Sequence, residues 1–436
     1  MPSAAPRPSG SVTQPVLPKT AHRPVQGGSP AGCLAESLTE SRTGSPVGSE
    51  PLPRPLIQDL DLDNIADLAT RASALSDVVT LWYGEGDVVT PDHVRAAAKA
   101  SLDAGDTFYV PDMRGRASLI EALAAYQTRL HGRHIGLDRS TVTPGGMQAV
   151  HLALTLVVGQ GDNVVFIEPQ WPNIRRAIHL AGAEPRAVAM LPGETGWQLD
   201  LDALFAACDA RTRAIMFSSP CNPTGWTASH DDLQALLSFS RQRGIWIIAD
   251  EVYNRLSFTG AAAPSILDLA EYEDRALSVN SFSKAWAMTG WRVGWLSHPP
   301  SVGQKLGAMT QYINSGTAAF IQAGAAAAIT QGEPTVTALR ARCRAGVDTV
   351  WEVLGGINAI RLDPKPEGGM YAFFRIEGVD DSREACRMIL EEARVGLAPG
   401  YMFGAPAQAY LRMCVCRDTA DIGKASLRIA EALRGR

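Results

Sequence analysis

The sequence lacks several features that would assign it to common classes of protein. No apolar run approaches the roughly 20 residues needed to cross a bilayer, so we expect no membrane partner. The 7 cysteines are irregularly placed and form no CxxC motif, which argues against a metal site and favours a reducing, cytoplasmic environment. A net charge of −5 gives no general attraction to nucleic acid or anionic lipid.

The first 55 residues also lack the means to build a core. Residues 1–55 contain no Trp, Tyr or Phe and hold 11 of the 28 prolines. Such a segment cannot bury enough apolar area to offset its chain entropy, so we predict a disordered extension. It has neither the apolar stretch of a secretory signal nor the amphipathic arginine pattern of a transit peptide.

The rest of the chain has a globular pattern in which short apolar runs alternate with helical segments. The runs "NVVFIEP", "AIMFSSP", "IWIIADEVY" and "ALSVNSFS" read as strands, and "DDLQALLSFSRQRG" reads as an amphipathic helix. This alternation predicts an α/β fold with a mostly parallel sheet flanked by helices. Ligands bind such sheets at the carboxyl ends of the strands. Longer helices after about residue 301 predict a second, smaller α+β domain.

Lys284 stands in the stretch "SVNSFSKAWAMTGWRVGW", where the run that follows is mostly apolar. A partly desolvated lysine amine loses proton affinity and can form a Schiff base with an aldehyde. Arg292 and the hydroxyls of Ser281 and Ser283 suit a phosphate. A lysine beside a phosphate site indicates pyridoxal 5′-phosphate. The alternative is a surface lysine beside a structural arginine.

Polar residues also follow two other apolar runs. Asp250 ends "IIAD", where lost solvation requires a cationic partner such as a protonated pyridine nitrogen. Tyr253 and Asn222 are candidate hydrogen-bond donors to a phenolic oxygen on the same ring. The alternatives are an aspartate that caps a helix with a tyrosine packed behind it, and a plain Asn-Pro-Thr-Gly turn.

Three further positions extend this ligand site. Gly146 belongs to a Gly-Gly pair that opens an apolar helix, where backbone NH groups bind phosphate; no Lys-Ser or Lys-Thr follows, so this is not a Walker loop. Trp171 offers a ring for stacking, although tryptophan more often fills a core. Arg412 lies in the apolar run "YLRMCVC" and needs an anion, either a substrate carboxylate or a structural partner.

In their order, these motifs resemble the class I and II aminotransferases, pyridoxal-phosphate enzymes of fold type I. The resemblance extends from about Leu81 to the C-terminus through "TFYVPDMRG", "DEVY", "SKAWAMTGWRVGW", "GGMYAFF" and "APGYMFG". It implies an enzyme that moves the amino group of an L-amino acid to a 2-oxo acid. We predict an extension over residues 1–55, a segment over 56–87 that packs with the small domain, a large cofactor-binding domain over 88–304 and a small domain over 305–436.

The resemblance also implies a role for each candidate residue. Lys284 corresponds to the Schiff-base lysine and proton carrier, and Asp250 to the partner of the ring nitrogen. Tyr109 resembles a tyrosine that reaches the phosphate of a neighbouring subunit, which implies a homodimer with shared sites. The remaining roles are contact with the phenolic oxygen (Tyr253, Asn222), phosphate binding (Ser281, Ser283, Arg292, Gly146, Met147), ring stacking (Trp171), carboxylate binding (Arg412) and lining of the substrate pocket (Gly84, with Trp171 and Asn222).

Two departures from the family pattern concern the substrate. The usual "GEPDF" loop reads "GEGDVV" here, with Gly86 and Val88 in place of the proline and the aromatic residue. Met147 stands where some aspartate-specific relatives have a lysine, and a thioether cannot pair with a carboxylate. Together with Trp286 and Trp291, it favours an apolar or aromatic substrate.

Two other activities on the same fold stay open at this point. A lyase that eliminates a β- or γ-substituent, or a cyclopropane-forming synthase, would use the same carbanion chemistry. A non-catalytic pyridoxal-phosphate sensor would need paired helices ahead of the fold, and the Pro/Ser-rich extension offers none.

Overall fold

The computed structural model describes residue 57 and residues 65–434. The predicted disordered extension over residues 1–55 therefore lies outside the described residues. No helix in the described part combines the length and the apolar character that a membrane-crossing helix needs. The helices are α1 Ile65–Ser73, α2 Asp92–Asp103, α3 Ala117–His131, α4 Gly146–Val157, α5 Pro172–Leu180, α6 Leu201–Ala206, α7 His230–Arg243, α8 Ile266–Leu269, α9 Pro300–Ile313, α10 Ala319–Gln331, α11 Glu333–Leu354, α12 Ser382–Ala393 and α13 Thr419–Leu433.

A seven-stranded sheet forms the centre of the fold, as the alternating pattern predicts. Its order is β2-β10-β9-β8-β7-β3-β4. All neighbouring pairs are parallel except those of β10, which runs antiparallel to β9 and to β2. The strands are β2 Ser140–Thr143, β3 Asn163–Glu168, β4 Glu184–Ala189, β7 Thr212–Ser218, β8 Trp246–Asp250, β9 Ala276–Ser281 and β10 Gly294–Ser297.

Local sequence accounts for these elements. Every residue of β3 is buried, as expected for a strand covered on both faces. Helix α7 begins with a capping box. The side chain of Ser229 accepts from the backbone NH of Asp232, and the side chain of Asp232 accepts from the backbone NH of Ser229. The same helix ends at Gly244, whose φ of 66° is the left-handed conformation that glycine adopts without strain.

A second, four-stranded sheet has the order β11-β12-β15-β14 and is antiparallel throughout. A separate pair joins β1 to β13 in parallel, with Val79 opposite Val395. The N-terminal segment therefore contacts the C-terminal part of the chain. The remaining strands are β1 Val79–Thr80, β5 Leu191–Gly193, β6 Gly196–Gln198, β11 Ile360–Leu362, β12 Tyr371–Ile376, β13 Val395–Gly396, β14 Ala398–Pro399 and β15 Tyr410–Cys414.

Candidate active site

The site lies at the carboxyl ends of adjacent parallel strands in the seven-stranded sheet. Asp250 is the last residue of β8 and pairs in register with Ser218, the last residue of β7. Ser281 ends the neighbouring strand β9, and Lys284 follows in the next turn. Because neighbouring parallel strands end at one edge of the sheet, these side chains come together there.

A cavity of about 300 Å³ opens at this edge. This volume is at the lower end of the range for small-molecule sites. Tyr109, with 80% of its surface exposed, lies outside the cavity, and its proposed contact with a neighbouring subunit stays a prediction. Every other candidate from the sequence lines the cavity: Gly84, Gly146, Met147, Trp171, Asn222, Asp250, Tyr253, Ser281, Ser283, Lys284, Arg292 and Arg412.

The side chain of Lys284 is held inside the cavity. Its Nζ donates to the carbonyl oxygen of Gly84 at 2.6 Å and lies 6.0 Å from the centre of the Tyr253 ring. Burial lowers the pKa of Lys284 below that of an ordinary lysine. A neutral amine is the nucleophilic and basic form, so this environment suits both imine formation and proton transfer.

Asp250 is a buried carboxylate with little charge compensation from the protein. One of its oxygens accepts from the backbone NH of Val252 at 3.3 Å, and it has no ion-pair partner among the described side chains within 4.0 Å. Burial raises the pKa of Asp250 to about 6. The charge of Lys284 lowers this pKa, but its effect is the smallest of the several contributions. A cationic ring nitrogen at this position would offset that desolvation, so Asp250 fits pyridoxal phosphate.

Tyr253 is one of two buried tyrosines whose hydroxyls meet in the cavity wall. Its hydroxyl oxygen lies 2.8 Å from that of Tyr371. Burial raises the pKa of Tyr371 to about 12 and that of Tyr253 well above its ordinary value, so both stay protonated at neutral pH. A Cβ at Gly84 would lie 2.0 Å from the Tyr371 hydroxyl, which explains the glycine at that position.

A cradle for an anion lies where α4 begins. The hydroxyls of Ser281 and Ser283 are 2.9 Å apart, and Nη1 of Arg292 is 3.4 Å from Ser283 Oγ. Gly145 has a φ of 90°, and a Cβ there would lie 2.1 Å from Nη2 of Arg292. The absence of that Cβ leaves room beside the guanidinium and the NH groups at the helix start, as a phosphate needs.

Arg412, on β15, reaches the cavity from the four-stranded sheet. Its guanidinium carbon lies 4.4 Å from the centre of the Tyr371 ring and 4.8 Å from that of Phe403. It donates to Asn222 Oδ1 at 3.0 Å and to the carbonyl oxygen of Trp82. Its Nε is buried without a hydrogen-bond partner among the described residues. No described carboxylate forms an ion pair with it, so a substrate carboxylate fits this guanidinium.

Two of the residues used to infer substrate preference lie elsewhere. Trp286 is buried in an aromatic cluster with Phe282 and Trp295, with ring centres 5.2 and 6.1 Å away. Nε1 of Trp291 donates to the hydroxyl of Thr90 at 2.9 Å. Neither tryptophan lines the cavity, so their use as evidence for an aromatic substrate was wrong, while Met147 does line it.

The unusual glycine of the "GEGDVV" loop has a packing reason. A Cβ at Gly86 would lie 2.8 Å from the carbonyl oxygen of Cys416. Any larger residue, proline included, would force this loop away from the end of β15. The loop therefore lies closer to that strand than a larger residue would permit.

Sequence reasoning missed three contributors to the site. Tyr371 and Phe403 were read only as parts of the motifs "GGMYAFF" and "APGYMFG", and the Trp82 carbonyl is a backbone group with no side-chain signature. All three contact Arg412. The one available signal was the unpaired arginine itself, because a buried guanidinium requires nearby acceptors and aromatic faces.

Comparison with known proteins agrees with this geometry. Residues 76–429 match the sequence model of the family described as aminotransferase class I and II. The chain is similar to an aspartate aminotransferase of Pyrococcus abyssi, at 31% identity over 86% of this chain and 97% of the relative. It is also similar to aromatic-amino-acid aminotransferase 2 of Thermococcus litoralis, at 30% identity over 85% of this chain and 95% of the relative.

A solved structure gives the same result for the fold. A single mutant of the Thermus thermophilus aspartate aminotransferase superposes with a TM-score of 0.82 at 28% identity, covering 88% of this chain and 100% of that one.

Proposed function

This chain belongs to the class I and II aminotransferases, which depend on pyridoxal phosphate, and we propose how its own residues carry out the transfer. The reaction moves the amino group of an amino acid to a 2-oxo acid. The relatives named above are transaminases, so the comparisons do not favour the elimination alternative. One observation carries the residue assignments: a buried amine, a buried carboxylate and an arginine without a carboxylate partner line one cavity.

In this proposal the cavity residues fix the cofactor at its two ends. Asp250 would hold the ring nitrogen, and Asn222 and Tyr253 would hold the phenolic oxygen. Trp171 would supply the face on which the ring stacks. When bound, the cofactor supplies an aldehyde for an amine and a ring that accepts the electron pair of the α-carbon. Ser281, Ser283, Arg292 and the NH groups of Gly146 and Met147 would hold its phosphate.

Lys284 moves the proton. Its Nζ takes the proton from the α-carbon of the substrate, and burial, which lowers the pKa of Lys284, favours the neutral amine that this step needs. The Gly84 carbonyl, 2.6 Å from Nζ, orients the amine in the free protein. The Tyr253 ring, whose centre lies 6.0 Å from Nζ, borders the amine on one side.

Arg412 orients the substrate. Its guanidinium binds the α-carboxylate through two parallel hydrogen bonds, which fixes the α-carbon relative to Nζ of Lys284. The rings of Phe403 and Tyr371 both pack against the guanidinium and lower the dielectric around it. The Nε that is left without a partner in the described chain then has an acceptor.

We further infer a cytoplasmic homodimer in amino-acid metabolism, in which Tyr109 reaches the phosphate of the second copy. Tyr109 and Phe108 expose 80% and 83% of their surfaces, and Tyr312 exposes 85%. Aromatic residues exposed to this extent are typical of surfaces covered by a partner. The division into segments 56–87, 88–304 and 305–436 is part of the same proposal.

Amino-group transfer by single variants tests the assignment. Cofactor-loaded protein receives L-amino acids one at a time with a 2-oxo acid, and the new 2-oxo acid is quantified. Lys284→Ala should lower the rate at least about 100-fold, since proton transfer by a positioned base contributes that much. Lys365→Ala is the matched control, because Lys365 is an exposed lysine that pairs with Asp348 at 2.6 Å.

Two results would contradict the proposal. A Lys284→Ala variant that transfers amino groups at the normal rate would remove Lys284 from the mechanism. Release of ammonia without need of a 2-oxo acid would support the elimination alternative instead.

A further inference from the structure

The cavity contains few cationic groups. Within residues 65–434, its cationic side chains are Lys284, Arg292 and Arg412. Under the proposed function each of the three has a ligand: the cofactor aldehyde, the phosphate and the α-carboxylate. No cationic side chain of the described chain is left in this cavity for a second carboxylate of the substrate.

An apolar wall lies beside Arg412. Phe403 stacks on the guanidinium at 4.8 Å, and Met402 precedes it in the same cavity wall. Arg412 also donates to the carbonyl oxygen of Trp82. The next residue in the chain, Tyr83, lines the same cavity. Tyr83 exposes 56% of its surface. Met402, Phe403 and Tyr83 therefore form an apolar wall in the cavity that Arg412 also lines.

A substrate held by its carboxylate at Arg412 lies in the same cavity as this wall, where its side chain can pack against Tyr83, Met402 and Phe403. A second carboxylate there would lose its solvation without gaining a partner, whereas an apolar group would gain from burial. We propose that the amino donor is a neutral amino acid with a large apolar side chain, aromatic or long aliphatic, and not aspartate. This specificity rests on the proposed function, because it takes Arg412 as the carboxylate site.

Unreactive carboxylates that lack an amine test this specificity through binding alone. Cofactor-loaded enzyme is titrated with 3-phenylpropanoate and with succinate by isothermal titration calorimetry. We expect 3-phenylpropanoate to bind at least about tenfold more tightly than succinate. This factor is the lower end of the affinity that an apolar group gains in a pocket that fits it. Equal binding, or tighter binding of succinate, would overturn the proposed specificity. This holds also if a second copy of the chain supplies a cation for the second carboxylate of succinate.

A lysine placed in the wall should reverse this preference. Met402 is half-buried and lines the cavity, so Met402→Lys should tighten succinate binding about tenfold or more and weaken 3-phenylpropanoate binding. Met388→Lys is the matched control. It makes the same change at a half-buried methionine on α12 that does not line the cavity, and it should bind both carboxylates as the unaltered protein does.

The outcomes separate the specificity from the proposed function. If succinate binds more tightly than 3-phenylpropanoate and Arg412→Leu abolishes its binding, the carboxylate site stands and the apolar specificity fails. If Arg412→Leu leaves both affinities unchanged, Arg412 does not bind the carboxylate and the proposed function itself is wrong at that residue.

Discussion

Asp250→Asn removes a carboxylate that burial makes costly in the cofactor-free protein. Burial raises the pKa of Asp250 to about 6 from the ordinary 3.8. At about 1.36 kcal/mol per pH unit, this difference corresponds to about 3 kcal/mol. The folded protein holds the proton more tightly than the unfolded chain. Stability is therefore lost as the pH rises from about 4 to about 6, and the loss is complete at pH 8.

The asparagine variant does not carry this cost. At pH 8, cofactor-free Asp250→Asn should be more stable than the unaltered protein by up to about 3 kcal/mol, and the gap should close near pH 4. Asparagine keeps an oxygen that can accept from the NH of Val252, so that 3.3 Å hydrogen bond is retained. For a chain of this size the gap corresponds to about 4 °C in melting temperature.

Thermal unfolding of the cofactor-free protein at several pH values measures this gap. Asp348→Asn, at an exposed aspartate paired with Lys365, is the control and should show no comparable pH dependence. The same Asp250→Asn change should weaken cofactor binding at pH 8 at least about tenfold, because the ring nitrogen loses its anion. An Asp250→Asn protein that is less stable at pH 8, or a gap that does not change with pH, would refute the reasoning.

Three further substitutions test individual contacts. Tyr253→Phe leaves the Tyr371 hydroxyl without its 2.8 Å partner and should cost about 1–3 kcal/mol in urea unfolding. Gly145→Ala puts a methyl group 2.1 Å from Nη2 of Arg292 at a φ of 90°; cofactor affinity, measured by absorbance titration, should fall at least about tenfold. Arg412→Lys loses the bidentate hydrogen bonds to the carboxylate. The KM for the amino donor should therefore rise about tenfold or more while the cofactor still binds.

Each substitution has a control of the same chemistry. Tyr272→Phe, at a tyrosine 50% exposed whose hydroxyl donates to Asp138 at the surface, should change the free energy of unfolding by no more than about 0.5 kcal/mol. Gly260→Ala has ordinary contacts, with the nearest atom 3.5 Å from the new Cβ, and should bind cofactor normally. Arg344→Lys changes an exposed arginine on α11 and should not alter the KM. A test variant that behaves like its control contradicts the corresponding contact.

Much of the fold follows from local patterns. The buried runs that end near Ser218, Asp250 and Ser281 predicted strands, and the pattern "DDLQALLSFSRQRG" predicted α7. The antiparallel direction of β10 could not be predicted. A short buried run has the same composition in either direction, and the direction depends on the path of the connection from β9.

The site was predictable where a polar side chain lies within or beside an apolar run. Lys284, Asp250 and Arg412 stand out for that reason. Tyr371 does not, because it belongs to the apolar strand β12, and the contacts of its ring with Arg412 and of its hydroxyl with Tyr253 join parts of the chain that are far apart in sequence. Trp286 was misassigned because closeness to Lys284 in sequence does not determine which side of the turn faces the cavity.

Reduction with borohydride tests most directly whether Lys284 carries the cofactor. Cofactor-loaded protein is reduced, unfolded and digested, and the peptides are examined by mass spectrometry. The account predicts a pyridoxyl group on the peptide that contains Lys284 and on no other lysine. A label on a different lysine, or an unlabelled Lys284 peptide in protein that has bound the cofactor, would contradict it.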